Sequence, residues 1–344
     1  MSATSNHFAN NHSNDQLALP NLAKKRSPSV DQNTLINIPN QIKEAVSEIA
    51  QAREEIIELL TIGLLAGGHV LLEGHAGTAK TLVARSFAES IGGTFRRVQL
   101  TPDMLPSDVT GFELYRPDGN SRFVEGPLFA NVVLADELNR TTPRTQSAFL
   151  EAMQERQATI EGTTYPLPEP LFVIATQVPL GGDGTYPITD VQADRFMLRL
   201  WSDYPTRTAE LLVLANADQL EDPHVDAVTT PNDILSLREL VKQVHMAESI
   251  RGYILDIVTT LRENESVQGG PSTRASLALY RGSRASAFLQ NRDFVIPDDV
   301  RKLAPNVLEH RVRPTTEAEF DQITAQDLIQ NALETIPIPK GDDE

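Results

Sequence analysis

The stretch Gly74-His75-Ala76-Gly77-Thr78-Ala79-Lys80-Thr81 decides the fold of this chain. It follows the apolar run His69–Leu72 and leads into Lys80–Ile91, where apolar side chains recur four residues apart. This pattern predicts a buried strand, a glycine-containing turn and a helix, which is the context that a phosphate-binding loop requires. On its own the motif leaves a chance glycine-rich turn open as the alternative.

The residue types of this loop suit the phosphates of ATP. Small residues let backbone N–H groups surround the β-phosphate at the positive end of the helix, so we expect residues 74–81 to bind the nucleotide. Lys80 can reach the β- and γ-phosphates, and the Thr81 hydroxyl can bind Mg²⁺. Ala79 stands where the motif has glycine, and alanine is acceptable there if its backbone angles are helical.

A second feature is the apolar run Val132–Ala135, which ends in the carboxylates of Asp136 and Glu137. The carboxyl edge of a parallel sheet is where ligands bind in open α/β folds. We therefore expect Asp136 to hold Mg²⁺ beside Thr81, and Glu137 to polarise the attacking water as a general base. Two solvated acids after a strand are common, but their occurrence together with the loop favours an ATPase site.

The remaining apolar runs predict a parallel sheet covered by helices on both faces, because they alternate with helical segments. The further strands are Phe95–Leu100, Asn131–Ala135 and Leu171–Thr176. One helix is predicted upstream, from near Ile42 to Gly67. Beyond Pro205 no strand pattern is visible, and the predicted helices are Ile234–Val244, Gly252–Arg262, Arg274–Leu289 and Asp298–Glu309.

These patterns divide the chain into four parts. We expect a disordered tail over residues 1–33, which are rich in Asn, Ser and His, and an α/β nucleotide-binding core over residues 34–204. An all-helical lid domain over residues 205–335 and an acidic tail over residues 336–344 complete the prediction.

The composition limits the classes of function. A net charge of −17 without a localised basic patch argues against nucleic acid as a partner. The absence of cysteine excludes thiolate catalysis and zinc–thiolate sites and fits a reducing cytoplasm, where we expect the protein. The sequence shows no secretory signal pattern, and no apolar stretch is long enough to predict a transmembrane segment.

The segment from Asp136 to Glu155 closely resembles the MoxR family of AAA+ ATPases. The resemblance extends over roughly residues 35–335 and is carried in the same order by several further segments. These are Leu72–Gly74, Leu105–Gly111, Gly126–Asn131, Tyr165–Pro170, Thr185–Phe196, Ser272–Ser276 and His310–Val312.

The resemblance implies roles for three arginines. Arg195 matches the arginine that reaches the γ-phosphate bound by the neighbouring subunit. Without the resemblance, an arginine that follows an acidic residue at a helix end would be interpreted as part of a surface ion pair. Arg274 matches the second sensor, which reports nucleotide from the lid; a solvent-exposed helix-terminal arginine is the alternative. Arg140 is expected near the subunit interface, or in a purely structural role.

The chain departs from the family pattern at the first sensor. In Ala175-Thr176-Gln177-Val178-Pro179 the family usually has Asn before Pro, whereas this chain has Val178. An apolar side chain cannot orient water, so Gln177 or Thr176 must substitute, or hydrolysis is slow. We assign Gln177 to the nucleotide site. The segment Ile49–Gln51 also lacks the glycine of the adenine-side motif.

The resemblance also implies assembly and partners. It implies a ring, by analogy a hexamer, that remodels a protein client and works with a protein of the von Willebrand A-domain fold in complex maturation or metal insertion. The segments Gly111–Pro127 and Gln157–Tyr165 match an insertion that faces the central pore and the hairpin before the first sensor; inert surface loops are the alternative. A nucleotide-gated binding protein with weak ATPase activity and a nucleic-acid motor remain as rival functions.

Overall fold

A computed structural model describes residues 32–50, 53–75, 77–178, 185–215 and 224–339, with side chains from residue 34. Residues 1–31 of the predicted tail lie outside these ranges. The first helix, α1, begins at Gln32, slightly before the predicted end of that tail. Ile336 is buried after the last helix, so the acidic tail begins later than the predicted residue 336.

The core is a five-stranded parallel sheet in the order β2-β5-β8-β1-β9. Its strands are β1 (Val70–Gly74), β2 (Phe95–Gln99), β5 (Val132–Asp136), β8 (Phe172–Thr176) and β9 (Leu198–Ser202). The four predicted strands are confirmed. The sequence analysis missed β9, because the polar Arg199 and Ser202 interrupt its apolar run.

Helices cover both faces of the sheet. The helices of the core region are α1 (Gln32–Ile49), α2 (Glu54–Ala66), α3 (Lys80–Ile91), α4 (Pro106–Thr110), α5 (Pro143–Glu155), α6 (Asp190–Ala193) and α7 (Arg207–Ala215). Of these, α1–α3 pack on one face and α5 on the other. The prediction of one upstream helix was wrong. A new helix, α2, begins with Glu54 and Glu55, acidic residues that favour a helix N-terminus.

Two antiparallel hairpins extend from this core. They are formed by β3 (Gly111–Tyr115) with β4 (Ser121–Glu125), and by β6 (Gln157–Ile160) with β7 (Thr163–Pro166). Tyr115 donates a hydrogen bond to Glu161, and Tyr165 donates one of 2.6 Å to Glu113. The hairpins therefore form one unit rather than two independent loops.

The C-terminal part is a helical lid, as predicted, with a short ribbon that was not predicted. Its helices are α8 (Pro231–Val241), α9 (Glu248–Glu263), α10 (Thr273–Leu289), α11 (Pro297–Leu308), α12 (Thr316–Phe320) and α13 (Ala325–Thr335). Strands β10 (Val267–Gly269) and β11 (Arg313–Pro314) pair antiparallel, so the expectation of no strands was wrong. Strands this short escape periodicity analysis.

The lid and the core share one apolar cluster. Side chains on one face of the sheet, such as Leu72 and Phe172, pack in the same cluster as α1–α3 and lid residues such as Leu279 and Leu303. The other face, including Val173, packs with α5 in a separate cluster. Burial of this shared apolar surface holds the lid against the core.

The turn between β1 and α3 places the loop at the carboxyl edge of the sheet. Gly74 has φ +144°, and a Cβ there would lie 2.1 Å from the Ser202 carbonyl oxygen of the paired strand, so only glycine fits. Ala79, which precedes α3, has φ +59° and ψ 20°. The condition under which alanine is readily accepted at this position is therefore not met: Ala79 occupies the left-handed region that favours glycine.

We expect Ala79→Gly to stabilise the protein slightly. The left-handed conformation costs a non-glycine residue about 1–2 kcal/mol, and the greater freedom of glycine in the unfolded chain offsets about 0.4–1 kcal/mol. Urea unfolding should therefore show a gain of up to about 1.5 kcal/mol. Ala88→Gly, inside α3, is the control and should lose about 1 kcal/mol or more. A similar loss in both variants would contradict the strain at Ala79.

Candidate active site

A cavity of about 450 Å³ lies at the carboxyl ends of β1, β5 and β8. Its walls bring together the loop, the acidic strand end and the first-sensor segment. The residues that line it are Gly74, Gly77, Thr78, Ala79, Lys80, Thr81, Arg97, Gln99, Asp136, Glu137, Thr176, Gln177 and Val178. Of the predicted loop residues, Ala76 lies outside the described residues, and His75 adjoins the lining.

The Lys80 ammonium lies at the mouth of its own loop. Nζ donates hydrogen bonds to the carbonyl oxygens of Gly74, at 3.0 Å, and His75, at 2.6 Å. Burial lowers the pKa of Lys80, and the carboxylates of Asp136 and Glu137 act in the opposite direction. A cation that is partly desolvated and held by neutral carbonyls is well suited to bind phosphate oxygens.

The Asp136 carboxylate is almost fully buried, with 4% of the residue exposed, and is fixed from three sides. Oδ1 accepts a hydrogen bond of 2.9 Å from the Thr176 hydroxyl, and Oδ2 accepts one of 2.8 Å from Arg97 Nε. The Thr81 hydroxyl lies 3.3 Å from Oδ1 and 3.4 Å from Oδ2. A charge this deeply buried needs such partners.

The residues at this point fit a magnesium ion. Thr81 and Asp136 offer adjacent hydroxyl and carboxylate oxygens, the ligand type that Mg²⁺ takes, and Mg²⁺ normally fills its remaining positions with phosphate oxygens and water. Within the described ranges there is no group of three or more His, Cys, Asp or Glu residues that could hold a metal alone. The donor set therefore suits an ion that arrives with a phosphate ligand.

Glu137 turns away from the strand in the left-handed region, with φ +57°. Its backbone N–H donates a 2.9 Å hydrogen bond to the Thr176 hydroxyl, which in turn donates to Asp136. Its carboxylate accepts a 2.9 Å hydrogen bond from Gln99, and Arg140 Nε lies 2.7 Å from the same oxygen. One threonine thus positions both acids, while the Glu137 side chain remains partly exposed to the cavity.

Two neighbouring residues of the first-sensor segment contact different groups. Thr176 contacts the acid pair, whereas the Gln177 amide donates to Glu73, which is also paired with Arg199 at 2.7 Å. Gln177 lines the cavity, but its amide points to Glu73 rather than to Asp136 or Glu137.

Val178, the departure from the family pattern, is held by its backbone. Its N–H donates to Asn139 Oδ1 at 3.1 Å, and its carbonyl accepts from Asn139 Nδ2 at 2.9 Å. Asn139 is fully buried, so the segment keeps a fixed position without the usual asparagine.

Several supporting side chains were missed by the sequence analysis. Arg97 and Gln99 lie on β2, in register with Leu134 and Asp136 of β5. The one sequence signal for this pairing is the cation Arg97 on a predicted strand. Arg53 donates to the Thr78 carbonyl, at 3.2 Å, and so braces the loop. His75 stacks on Tyr204 with ring centroids 4.7 Å apart. Such contacts depend on tertiary pairing, which no local pattern encodes.

Arg195 and Arg274 lie together, in a second cavity of about 280 Å³ that does not share lining residues with the first. We call it the arginine cavity. Arg195 Nε has no hydrogen-bond partner within the described chain. Arg274 lies 3.3 Å from Asp194, is about half exposed, and does not line the cavity that contains its own Lys80. The structure thus separates these two predicted residues from the loop of the same chain.

Asp194 joins this region to the lid. Its carboxylate accepts hydrogen bonds from Ser272 at 2.9 Å and from the buried Arg311 at 2.7 Å. Arg311 also donates to the carbonyl oxygens of Asp194 and Phe196, on either side of Arg195. The position of Arg195 therefore depends directly on the lid.

Comparison with known proteins gives consistent matches along the chain. The model of the ATPase family associated with various cellular activities (AAA) matches residues 69–198, and the AAA lid domain matches residues 259–332. The crystal structure of a proposed ATPase from Cytophaga hutchinsonii superposes with a TM-score of 0.82 at 37% identity, covering 89% of this chain and 96% of that one. None of the helices in the described ranges has the length and apolarity to cross a membrane.

The sequence relatives are similar over most of their length. The uncharacterized protein YeaC of Bacillus subtilis is 42% identical, covering 86% of this chain and 93% of that protein. Chaperone MoxR1 of Mycobacterium tuberculosis is 37% identical over 86% of this chain and 81% of its own length. Protein MoxR of Paracoccus denitrificans is 30% identical over 86% and 94%. Together with the fold and the two-domain match, these relatives show that the chain belongs to the MoxR family of AAA+ ATPases.

Proposed function

We propose that this protein hydrolyses ATP with Mg²⁺ and uses the energy to remodel a partner protein complex. The observation that carries the proposal is the convergence of Lys80, Thr81, Asp136 and Glu137 on one cavity at the carboxyl edge of the sheet. A cation, two magnesium-ligand types and a partly exposed carboxylate are the set that phosphoryl transfer to water requires.

Each of these side chains has a defined task in the proposed reaction. Lys80 and the loop backbone bind the β- and γ-phosphates, while Thr81 and Asp136 hold the ion, which neutralises charge on the transferred phosphoryl group. Glu137 accepts a proton from the attacking water. The Thr176 hydroxyl accepts a hydrogen bond from the backbone N–H of Glu137, and this bond keeps the Glu137 carboxylate over the cavity.

The site requires a second subunit. The arginine cavity does not share lining residues with the loop cavity, so we propose that Arg195 and Arg274 act on nucleotide bound by the neighbouring chain of a ring. A hexamer is the assembly that the family resemblance implies. The hydrogen bonds of Arg311 to both sides of Arg195 would let a lid movement withdraw or insert that side chain.

The joined hairpins are the surface that we propose for contact with a protein client. Phe112 and Leu114 on β3 and Tyr115 at its end are all more than 40% exposed, and the Tyr–Glu hydrogen bonds couple this strand to the second hairpin. The second hairpin follows α5, whose N-terminus lies close after the acid pair. A change at the acid pair on nucleotide binding could therefore be transmitted along α5 to the hairpins.

The partner, the outcome for the client and the compartment are proposed from the resemblance to the family. We propose a von Willebrand A-domain protein as a partner, maturation or metal insertion as the outcome for the client, and the cytoplasm as the compartment. The relative in Mycobacterium tuberculosis carries the name chaperone, which supports this direction. A nucleotide-gated binding protein with weak ATPase activity is the second candidate, favoured by Val178 and by the engagement of Gln177 with Glu73.

We expect Glu137→Gln to bind ATP normally and to hydrolyse it about 10²–10⁴ times more slowly, because binding depends on Lys80 and the loop whereas proton removal depends on Glu137. Phosphate release and equilibrium binding of ATP measure the two effects separately. Glu155→Gln, an exposed acid at the end of α5, is the matched control and should leave both unchanged. Hydrolysis by Glu137→Gln at the wild-type rate would exclude Glu137 as the base.

Mixing two inactive variants tests whether Arg195 acts between subunits. Arg195→Ala should hydrolyse ATP about 10³ times more slowly, as for other arginine fingers. Lys80→Ala should lose most of its affinity for nucleotide, because the phosphate charge loses its partner. In a mixed ring, a Lys80→Ala subunit can supply Arg195 to the intact loop of its Arg195→Ala neighbour. Activity should therefore exceed that of either variant alone.

The control for this experiment is the mass of the assembly, which must show that mixed rings form. Mixed rings that are no more active than their components would show that Arg195 acts within its own chain or has no role in hydrolysis. Specific activity of the wild-type protein should also rise with its concentration as subunits assemble.

A further inference from the structure

A cavity of about 670 Å³ lies away from the proposed active site, between the core and the lid. Gly67, which precedes β1, and Glu169, which precedes β8, place it at the amino edge of the sheet, opposite the phosphate loop. Its other walls come from α8 and α10 of the lid. Five cationic side chains line it: Arg156, Arg238, Lys242, Arg281 and Arg284. We call it the basic cavity.

The positive charge of the basic cavity is not neutralised by the residues around it. Only two carboxylates, Glu169 and Glu239, are among its lining residues. Glu239 is paired with Lys242 at 2.6 Å. Glu169 lies 3.5 Å from Arg156, and because both side chains are about half exposed this ion pair is weak. Three arginines therefore remain in excess, in a chain whose net charge is −17.

Arg238 shows most clearly that a partner is missing from this group. The residue is 9% exposed, its Nε donates a 2.9 Å hydrogen bond to the Leu64 carbonyl, and its buried Nη2 has no partner in the described parts of the chain. Burial, together with the nearby charge of Arg156, lowers the pKa of Arg238 to about 10. A buried, charged donor without an acceptor is costly, and an anion would remove that cost.

The guanidinium groups of Arg156 and Arg238 converge on one point. A Cβ placed on Gly67 would lie 3.9 Å from Arg156 Nη2 and 4.0 Å from Arg238 Cζ. Two like charges are thus held near the same backbone position. Arg281, on the facing helix α10, is exposed and makes no ion pair with any described residue.

We propose that the basic cavity is a second anion site, which binds the di- or triphosphate group of a small molecule. Planar guanidinium groups bind phosphate oxygens through paired hydrogen bonds, and several of them can match the several charges of a phosphate chain. The volume is within the range of small-molecule sites. The ligand is either a free oligophosphate or a nucleotide, which share this chemistry.

The location gives such a ligand a means of regulation. Arg156 and Arg281 also line the arginine cavity, which contains Arg195 and Arg274. An anion that binds both Arg156 of the core and Arg281 of the lid would fix the position of the lid relative to the core. The positions of Arg195 and Arg274 depend on that contact between core and lid.

The test is a calorimetric titration of full-length Lys80→Ala with tripolyphosphate in the absence of Mg²⁺. This variant weakens the loop site in every subunit, so a binding site that instead depends on Arg156 and Arg281 is separate from the loop. We expect one site per chain whose affinity falls at least about tenfold when Arg156→Ala or Arg281→Ala is added. Arg251→Ala, an exposed arginine of α9 that does not line the basic cavity, should leave the affinity unchanged.

Competition with ATP identifies the source of the phosphate. Displacement of tripolyphosphate by ATP at lower concentration indicates a nucleotide, and equal or weaker displacement indicates the phosphate chain alone; both support the site. Absence of binding to Lys80→Ala overturns it, as does binding that Arg156→Ala and Arg281→Ala leave unchanged while their melting temperatures are normal. A change of assembly mass in these variants without anion binding also overturns it and assigns the surface to a subunit contact. The proposed ATPase site is tested independently, by the wild-type response to nucleotide.

Discussion

The structure depends on supplying partners for one carboxylate that is buried at the carboxyl edge of a parallel sheet. Asp136 ends a strand that is buried along its whole length, and an unpaired charge there would be strongly unfavourable. Arg97 from the adjacent strand, Thr176 from the strand on the other side, and Thr81 from the helix after the loop share its oxygens. The order of the sheet, β2-β5-β8, brings these partners to one edge. The partners of the Asp136 carboxylate therefore also bring together the oxygens of Thr81 and Asp136, which are the proposed magnesium ligands.

A second polar joint connects this edge to the lid. The Asp194 carboxylate accepts hydrogen bonds from Ser272 and Arg311 of the lid. Asn306 of α11 donates a hydrogen bond to the Arg199 carbonyl of β9. Arg199 in turn pairs with Glu73, which holds the Gln177 amide beside the loop cavity. The lid is thus connected both to the arginine cavity and to the first-sensor segment.

The sequence predicted what local patterns encode. The loop, the acidic strand end and four of the five strands carry their own signals, because period and turn chemistry act over a few residues. The Arg97–Asp136 pair was missed because it depends on tertiary pairing, and strand β9 was missed because Arg199 and Ser202 interrupt its apolar run. The interruption between α1 and α2 was missed although Glu54 and Glu55 favour a helix N-terminus there. The left-handed backbone angles of Ala79 were not predicted, because the identity of a side chain does not report the backbone angles of its residue. The placement of Arg274 away from its own loop could not be read from a motif, which gives a residue's type but not the face that it occupies.

We propose that the cavity above the loop binds nucleoside triphosphate through Lys80. Titration of the protein with a non-hydrolysable ATP analogue in the presence of Mg²⁺ tests this binding. We expect one tight site per chain, weakened at least about tenfold by Lys80→Ala because the phosphate charge loses its partner. Lys302→Ala, at a surface ion pair with Glu58, should bind as wild type does. Unchanged affinity in Lys80→Ala would show that this cavity is not the nucleotide site.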